Sequence, residues 1–393
     1  MTVWDELVGQ EPVVEVLRGV VADPRGSTHA WLFTGPPGSG RSTAALAFAA
    51  AMQCDTGGCG ECESCRMAAA GSHPDVQVVR TDGLSIGVDL ARDAVRRSAL
   101  HPSVGRWQVL VVEDADRLTD QAANALLKSL EEPSRQTIWM LCAPAAEDVI
   151  VTIRSRCRSV VLRTPPPAAI AELLVRRDGV EPQLAAAVAA ASQGHIGRAR
   201  GLARDPDSRE RRRQILSIPQ RVGHLGDALV AATQVDTEAT ARAAAFCDVA
   251  DVRELEDLKA SWGVEDRGKR PAGYAGALSS LTKEQERRRK RLARDAIDGV
   301  LLDLLSFCRD VVALQLGAAS ARAGLVNADV AEAISDQARL WTVETTLGAI
   351  DAIVECRSAL EANAAPLLAL ERLMSRFVPS TRAPGSQPTG DGR

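Results

Sequence analysis

Through the first 165 residues, short apolar runs alternate with helical patterns. Residues 30–34, 76–79, 108–112, 138–141 and 160–162 are five candidate strands. The run Val109-Leu110-Val111-Val112 is apolar without alternation, which suits a parallel strand covered on both faces. Helical patterns over about 40–53, 89–99 and 119–131 lie between the strands, so this part reads as a doubly wound α/β domain. Thr164-Pro165-Pro166-Pro167 ends it, because consecutive prolines give no donors to a sheet ladder. From there the pattern is helical. Three short amphipathic helices predict a small domain reaching about residue 220, and a longer all-α region follows to about 378. Gly263, Gly268, Pro271, Gly273 and Gly276 predict a loop near 262–280. The tail 379–393, with Pro384, Gly385, Pro388 and Gly390, is expected to be disordered.

Composition narrows the function. The chain is 46% hydrophobic with only 3% aromatic residues, which favours packed helices over a β-sandwich. A net charge of −4 argues against a protein that holds DNA by itself over a broad basic face. No apolar run is long enough to cross a bilayer, so no membrane partner is expected. Met1-Thr2-Val3-Trp4-Asp5-Glu6 lacks the basic and apolar regions of a signal peptide, and the expected location is cytoplasmic.

Gly35-Pro36-Pro37-Gly38-Ser39-Gly40-Arg41-Ser42 follows a strand and opens a helix, the setting of a P-loop whose backbone N–H groups cradle phosphate. Ser42 stands where a Mg²⁺ ligand belongs, but Arg41 replaces the lysine that reaches the β/γ-phosphates. After the next central strand, Glu113 takes the metal position and Asp114 the water-polarising one, the reverse of the usual order. Each carboxylate is displaced by roughly 1.5 Å, and misplacement of about 1 Å costs on the order of 10²-fold. Ala143-Pro144 leaves a third strand end without a polar side chain near the γ-phosphate position. Three defects in one site predict ATP or ADP binding that is weak or absent, and lost hydrolysis. The alternative is an active ATPase working through Ser42, Glu113 and Asp114.

Cys54-x4-Cys59-x2-Cys62-x2-Cys65 places four of the nine cysteines within twelve residues. Four thiolates suit tetrahedral Zn²⁺ with no open position, hence a structural site. An iron–sulfur centre is the alternative, although nothing nearby suggests redox work. Arg154, Arg156 and Arg158 alternate along one stretch, which by spacing alone reads as a surface ion-paired face. The basic run 283–294 reads as a solvated helix face tempered by Glu284, Glu286 and Asp295, or as a contact for DNA phosphate.

Leu126-Leu127-Lys128-Ser129-Leu130-Glu131-Glu132-Pro133, Thr152-Ile153-Arg154-Ser155-Arg156-Cys157 and the cysteine cluster together resemble the bacterial clamp-loader AAA+ family. Leu7-Val8-Gly9-Gln10 is similar to the family's N-terminal box beside the adenine. The resemblance is strong over about 4–220 and weak in the segment 307–314. It implies an AAA+ domain over 1–165 with a zinc module at 54–65, a helical lid over 166–222 and an oligomerising helical collar over 223–378. It also implies that Arg156 is an arginine finger acting in trans on a neighbour's γ-phosphate. The site of Val8, Gly35, Gly38, Gly40, Arg41, Ser42, Glu113 and Asp114 would be a degenerate nucleotide site. Motor subunits of this family, gamma/tau, keep the P-loop lysine. With Arg41, this chain resembles the non-motor subunits of the DNA polymerase III clamp loader, and a gamma/tau-type ATPase motor is the alternative. Implied partners are the gamma/tau and delta subunits, with the sliding clamp and primer–template DNA reached through the complex. Motor subunits place a nucleotide-sensing arginine where this chain has Gly197, one position before Arg198.

Overall fold

The five apolar runs form one parallel sheet in the computed structural model of the protein. The strands are β1 (Ala30–Thr34), β2 (Val76–Val79), β3 (Gln108–Val112), β4 (Thr137–Ala143) and β5 (Arg158–Val161), in the order β2-β3-β4-β1-β5. The structure describes residues 2–23, 28–81, 85–264, 271–317 and 324–378. Two compact units divide at Pro206.

In the first unit the central strands β3, β4 and β1 are covered on both faces, as the unbroken apolar runs require. Alternate residues point opposite ways along a strand. Trp31, Phe33, Val109, Val111, Met140 and Cys142 therefore pack on one side with Phe48 of the helix Arg41–Gln53. Leu32, Leu110, Val112, Trp139 and Leu141 pack on the other with Leu126 and Leu130 of the helix Asp120–Glu131. Thr119 caps that second helix, its hydroxyl accepting from the Ala122 N–H at 3.2 Å. This is the α/β AAA+ class that the motifs imply, with the P-loop between β1 and the helix that follows it.

Three helices follow the sheet in the same unit: Pro167–Asp178, Pro182–Ala191 and Ile196–Arg204. Proline stands at N1 of the first two, and Gly179 closes the first in a left-handed conformation, φ 66°. Their own small core contains Ile170, Leu174, Ala185, Val188, Ala199 and Leu202.

The second unit is all helical among the described residues. Helices Leu225–Ser261 and Tyr274–Gln315 lie along one another, with Ala331–Leu340, Val343–Glu361 and Pro366–Ser375 packed on them. The core holds Leu301, Leu304, Phe307, Val311, Ile353, Leu370, Met374 and Phe377. The helix Pro206–Leu216 and the turn Ile218–Arg221 belong here, since Leu216, Ile218 and Val222 enter this core. A buried polar knot fixes the same helix: Arg212 Nε donates to Asp303 Oδ1 at 2.8 Å, and its guanidinium also reaches Asn327. Hence the helices between residues 166 and 222 number five rather than three, and the last two join the second unit. The loop expected over 262–280 is shorter, because a helix restarts at Tyr274 after Gly273, φ 93°. The tail 379–393 and residue Gly268 lie outside the described residues.

Candidate functional site

The P-loop residues form a turn in which Gly38 and Gly40 take φ of 85° and 87°, values that disfavour any side chain. A Cβ at Gly35 would lie 2.6 Å from the Leu162 carbonyl oxygen, and one at Gly38 would lie 2.7 Å from His195 Cα and Cβ. The loop thus touches β5's end on one side and the start of the helix Ile196–Arg204 on the other. Gln10 ties the N-terminal box to the same place. Its Nε2 donates to the Ser39 carbonyl at 3.4 Å and the Arg163 carbonyl at 2.5 Å, while its Oε1 accepts from the Arg163 N–H at 3.2 Å. Val8 and Gly9 lie just before it, half-buried.

Arg41 does not point outward as a free cation. Its Nη1 donates to the carbonyl of Gly35, so the guanidinium is folded back onto the backbone of its own loop. The loop's other end is held by the Gly35 N–H, which donates to the Pro144 carbonyl at 3.1 Å.

Arg41, Ser42, Glu113 and Asp114 do come together, around Cys142. Burial pushes the Cys142 thiol up to about 12, Glu113 and Asp114 push the same way, and Arg41 and the Ser42 hydroxyl oppose them. Asp114 adopts a left-handed backbone, φ 54°, and its carboxylate lies 4.0 Å from Arg117. Asp116, which the motif reading passed over, is a further member of the cluster. Burial raises its carboxyl above the usual range, with Asp114 adding to the effect, and its Oδ1 is buried without a hydrogen-bond partner. Its position two residues after Asp114, on the same strand-end turn, was the available signal.

His195 caps the helix Ile196–Arg204, its Nδ1 accepting from the Arg198 N–H at 3.2 Å. Desolvation against the loop, and then the charges of Arg198 and Arg41, hold its imidazole below the usual range. The side chain that covers Gly38 is therefore neutral at pH 7.

The four cysteines of the cluster gather into one cage. Cys54, Cys59, Cys62 and Cys65 place their Sγ atoms within 4.8 Å of one another, with Cys54–Cys59 at 3.7 Å and Cys62–Cys54 at 3.8 Å. Backbone N–H groups aim at the sulfurs: Cys59 at Cys54 (3.5 Å), Cys62 at Cys59 (3.3 Å) and Cys65 at Cys62 (3.4 Å). Gly57 and Gly58 turn the chain at φ of 74° and 104°, and a Cβ at Gly58 would strike Val3 at 2.6 Å. The N-terminal segment seals that side, since Trp4 Nε1 donates to the Gly57 carbonyl at 3.0 Å. Thiolates convergent in this way can hold a metal ion.

Arg154, Arg156 and Arg158 have three separate roles rather than one shared face. Arg154 Nη1 donates to the Ala146 carbonyl at 3.4 Å, and Arg158 lies 5.1 Å over the Trp31 ring. Arg156 extends from the end of the turn Val151–Arg154, its Nη1 donating to the Thr152 carbonyl at 2.6 Å and to Ser155 Oγ at 3.2 Å. Its Nη2 pairs with Glu131, and about a third of the side chain is exposed. Cys157 is a packing residue against the core, its thiol pushed up to about 12 by burial.

Comparison with known proteins gives concordant results. A family profile described as "DNA polymerase III, delta subunit" matches residues 9–166. DNA polymerase III subunit delta' of Bacillus subtilis is 32% identical over 232 residues, covering 56% of this chain and 69% of that protein. DNA polymerase III subunit delta' of Pseudomonas aeruginosa is 39% identical over 160 residues, or 39% of this chain and 49% of that one. DNA polymerase III subunit gamma/tau of Mycobacterium tuberculosis is 37% identical over 176 residues, covering 44% of this chain and 30% of that protein.

Proposed function

The chain belongs to the DNA polymerase III subunit delta' family, and on that premise we propose that it is the non-motor subunit of a bacterial clamp loader. It assembles with gamma/tau and delta subunits through its helical second unit, the collar, and reaches the sliding clamp and primer–template DNA through the complex. The observation that carries this reading is Arg41 bonded back to the Gly35 carbonyl. A guanidinium closed on its own loop gives no cation to the β/γ-phosphates, so the chain hydrolyses no ATP and holds ADP or ATP weakly or not at all. The inverted Glu113-Asp114 pair and the apolar Ala143 support the same conclusion.

Arg156 then acts on a neighbour. It lies at a turn end with its guanidinium partly exposed, held by Thr152, Ser155 and Glu131. Exchanging Glu131 for a γ-phosphate replaces one anion by a more highly charged one, which favours the transfer once a neighbouring nucleotide is in reach. Aimed at charge developing on that phosphate, such an arginine is worth roughly 10³–10⁵ in rate at the site it completes. The cysteine cage holds structural Zn²⁺. Tetrahedral bonds of about 2.3 Å set sulfurs about 3.8 Å apart, which the Cys54–Cys59 and Cys62–Cys54 separations of 3.7 and 3.8 Å match.

The decisive experiment is Arg156→Ala in the reconstituted loader. The variant chain should fold and join the complex, while the DNA- and clamp-stimulated ATPase falls. Arg154→Ala and Arg158→Ala are the controls; equal small effects from all three would mean that Arg156 is a surface ion pair and no more.

A further inference from the structure

The basic run 283–294 is divided by the structure into two faces of different kind. In the second unit the apolar core reaches Ala239 on the helix Leu225–Ser261 and resumes at Ile297 on the helix Tyr274–Gln315. Between those points the two helices continue as a paired arm whose contact is mostly polar. Arg288 bonds Asp251 and Glu254, Arg289 Nε donates to Asp251 Oδ2 at 2.8 Å and its Nη2 to Asp248 Oδ1 at 3.0 Å, and Gln285 donates to the Asp251 carbonyl at 3.0 Å. These two arginines face inward and are neutralised by the opposite helix.

The outer face is different. Lys283, Arg287, Lys290 and Arg294 follow one another at four, three and four residues, so they stack in a single row about 16 Å long at 1.5 Å per residue. Lys283, Arg287 and Lys290 are exposed and enter no ion pair among the described residues. Arg294 has an uncharged partner, donating to Asn363 Oδ1 at 3.2 Å. Arg291 flanks the row, 3.9 Å from Asp295, and Glu284 and Glu286 project to either side of it. Like charges at these spacings oppose one another, and the row is offset on its own helix by Glu286, four residues before Lys290, and Glu284, three before Arg287.

We propose that this row is a direct contact for the phosphate backbone of double-stranded DNA. Evenly spaced cations on one helix face fit the regular line of monoanions along a duplex strand, and require no particular base sequence. No aromatic residue lies within the run 283–294, so the stacking platform needed for single strands is missing. The net charge of −4 keeps the contact local and weak in the isolated chain. The row belongs to the second unit and the nucleotide and arginine-finger residues to the first, and duplex binding by the row needs neither clamp-loader assembly nor catalysis.

The test is fluorescence anisotropy of a labelled random-sequence duplex with the full chain alone, across a range of KCl concentrations. Four phosphate contacts predict that log K falls with log salt at a slope of about −3.6. Lys283→Gln, Arg287→Gln and Lys290→Gln together should remove about 2.7 of that slope and weaken binding at least about tenfold at low salt. The charge-retaining set Lys283→Arg, Arg287→Lys and Lys290→Arg should bind as the parent does, which separates loss of contact from loss of fold. Arg80→Gln, Arg135→Gln and Arg221→Gln change the net charge equally at exposed positions elsewhere and should bind within about twofold of the parent. Absence of duplex binding, equal losses from both glutamine sets, or displacement of the duplex by poly-glutamate at equal charge would each overturn the proposal. The Arg156 experiment, read in the assembled loader, is independent of every one of these outcomes.

Discussion

Asp75, immediately before β2, offers a sharp test of how the sheet's edge is held. Its side chain is buried and accepts four hydrogen bonds. Oδ1 takes the Ser103 N–H and hydroxyl, both at 2.7 Å, and Oδ2 takes the N–H groups of Val104 at 2.8 Å and Gly105 at 2.6 Å. Burial pushes the carboxyl up, but the bonds from Ser103, Gly105 and Val104 outweigh it and hold the group at about 2. Relative to the ordinary value of 3.8, that contributes about 2.4 kcal/mol to stability at neutral pH. Because the folded value is depressed, the contribution is complete above about pH 4–5 and is lost as pH falls through about 2, with about half gone near pH 3. Asp75→Asn retains one acceptor oxygen. The amide can turn its NH₂ toward the Ser103 hydroxyl, leaving one backbone N–H without a partner, so a loss of about 2–3 kcal/mol is expected. Asp75→Ala leaves every donor unpaired and should cost more, about 3–5 kcal/mol. Urea unfolding followed by tryptophan fluorescence measures both, since four of the six tryptophans (Trp4, Trp31, Trp107 and Trp139) lie in the first unit. Amide hydrogen exchange at Ser103, Val104 and Gly105 gives the local reading. The gap between parent and Asn variant should shrink by about half between pH 7 and pH 3. A gap that is absent at pH 7, or that stays constant with pH, would refute the reasoning.

Three further outcomes are expected. Purified protein should carry one zinc ion per chain by elemental analysis, and Cys59→Ser with Cys62→Ser should release it and loosen the segment around it, because metal binding and local folding are one equilibrium there. Arg41→Lys should free the Gly35 carbonyl and raise ATP affinity by about tenfold in a fluorescent-nucleotide titration, while ATPase of the isolated chain stays at background; unchanged affinity would mean that the folded-back guanidinium is not what closes the loop. Arg212→Ala should destabilise the second unit by about 1–3 kcal/mol, read as a lowered thermal midpoint, since it removes the buried guanidinium that bonds both Asp303 and Asn327.

The sequence by itself determined the first unit's five strands and the gathering of its four clustered cysteines. Unbroken apolar runs such as Val109 to Val112 can only be satisfied by covering both sheet faces, and glycine spacing around Gly38 and Gly40 permits one kind of turn. Four cysteines in twelve residues leave the chain little choice but to bring their sulfurs together. Such signals are local, because the residues that carry them are neighbours along the chain. Tertiary structure decided whatever depends on partners distant in sequence. Nothing near Arg41 foretells that its guanidinium closes on Gly35, and the position of Asp116 beside Asp114 does not by itself give its burial. The helix Pro206–Leu216 has a mostly charged sequence, and it is contacts distant in sequence that assign it to the second unit: Leu216 in that unit's core, and Arg212 on Asp303 and Asn327, about 90 and 115 residues on. The run 283–294 is the plainest case. Its cations are equivalent in sequence, and the facing helix divides them by neutralising Arg288 and Arg289 and leaving Lys283, Arg287 and Lys290 outward. Pairing across a helix interface depends on which acid lies opposite, and that is fixed only when the two helices have packed.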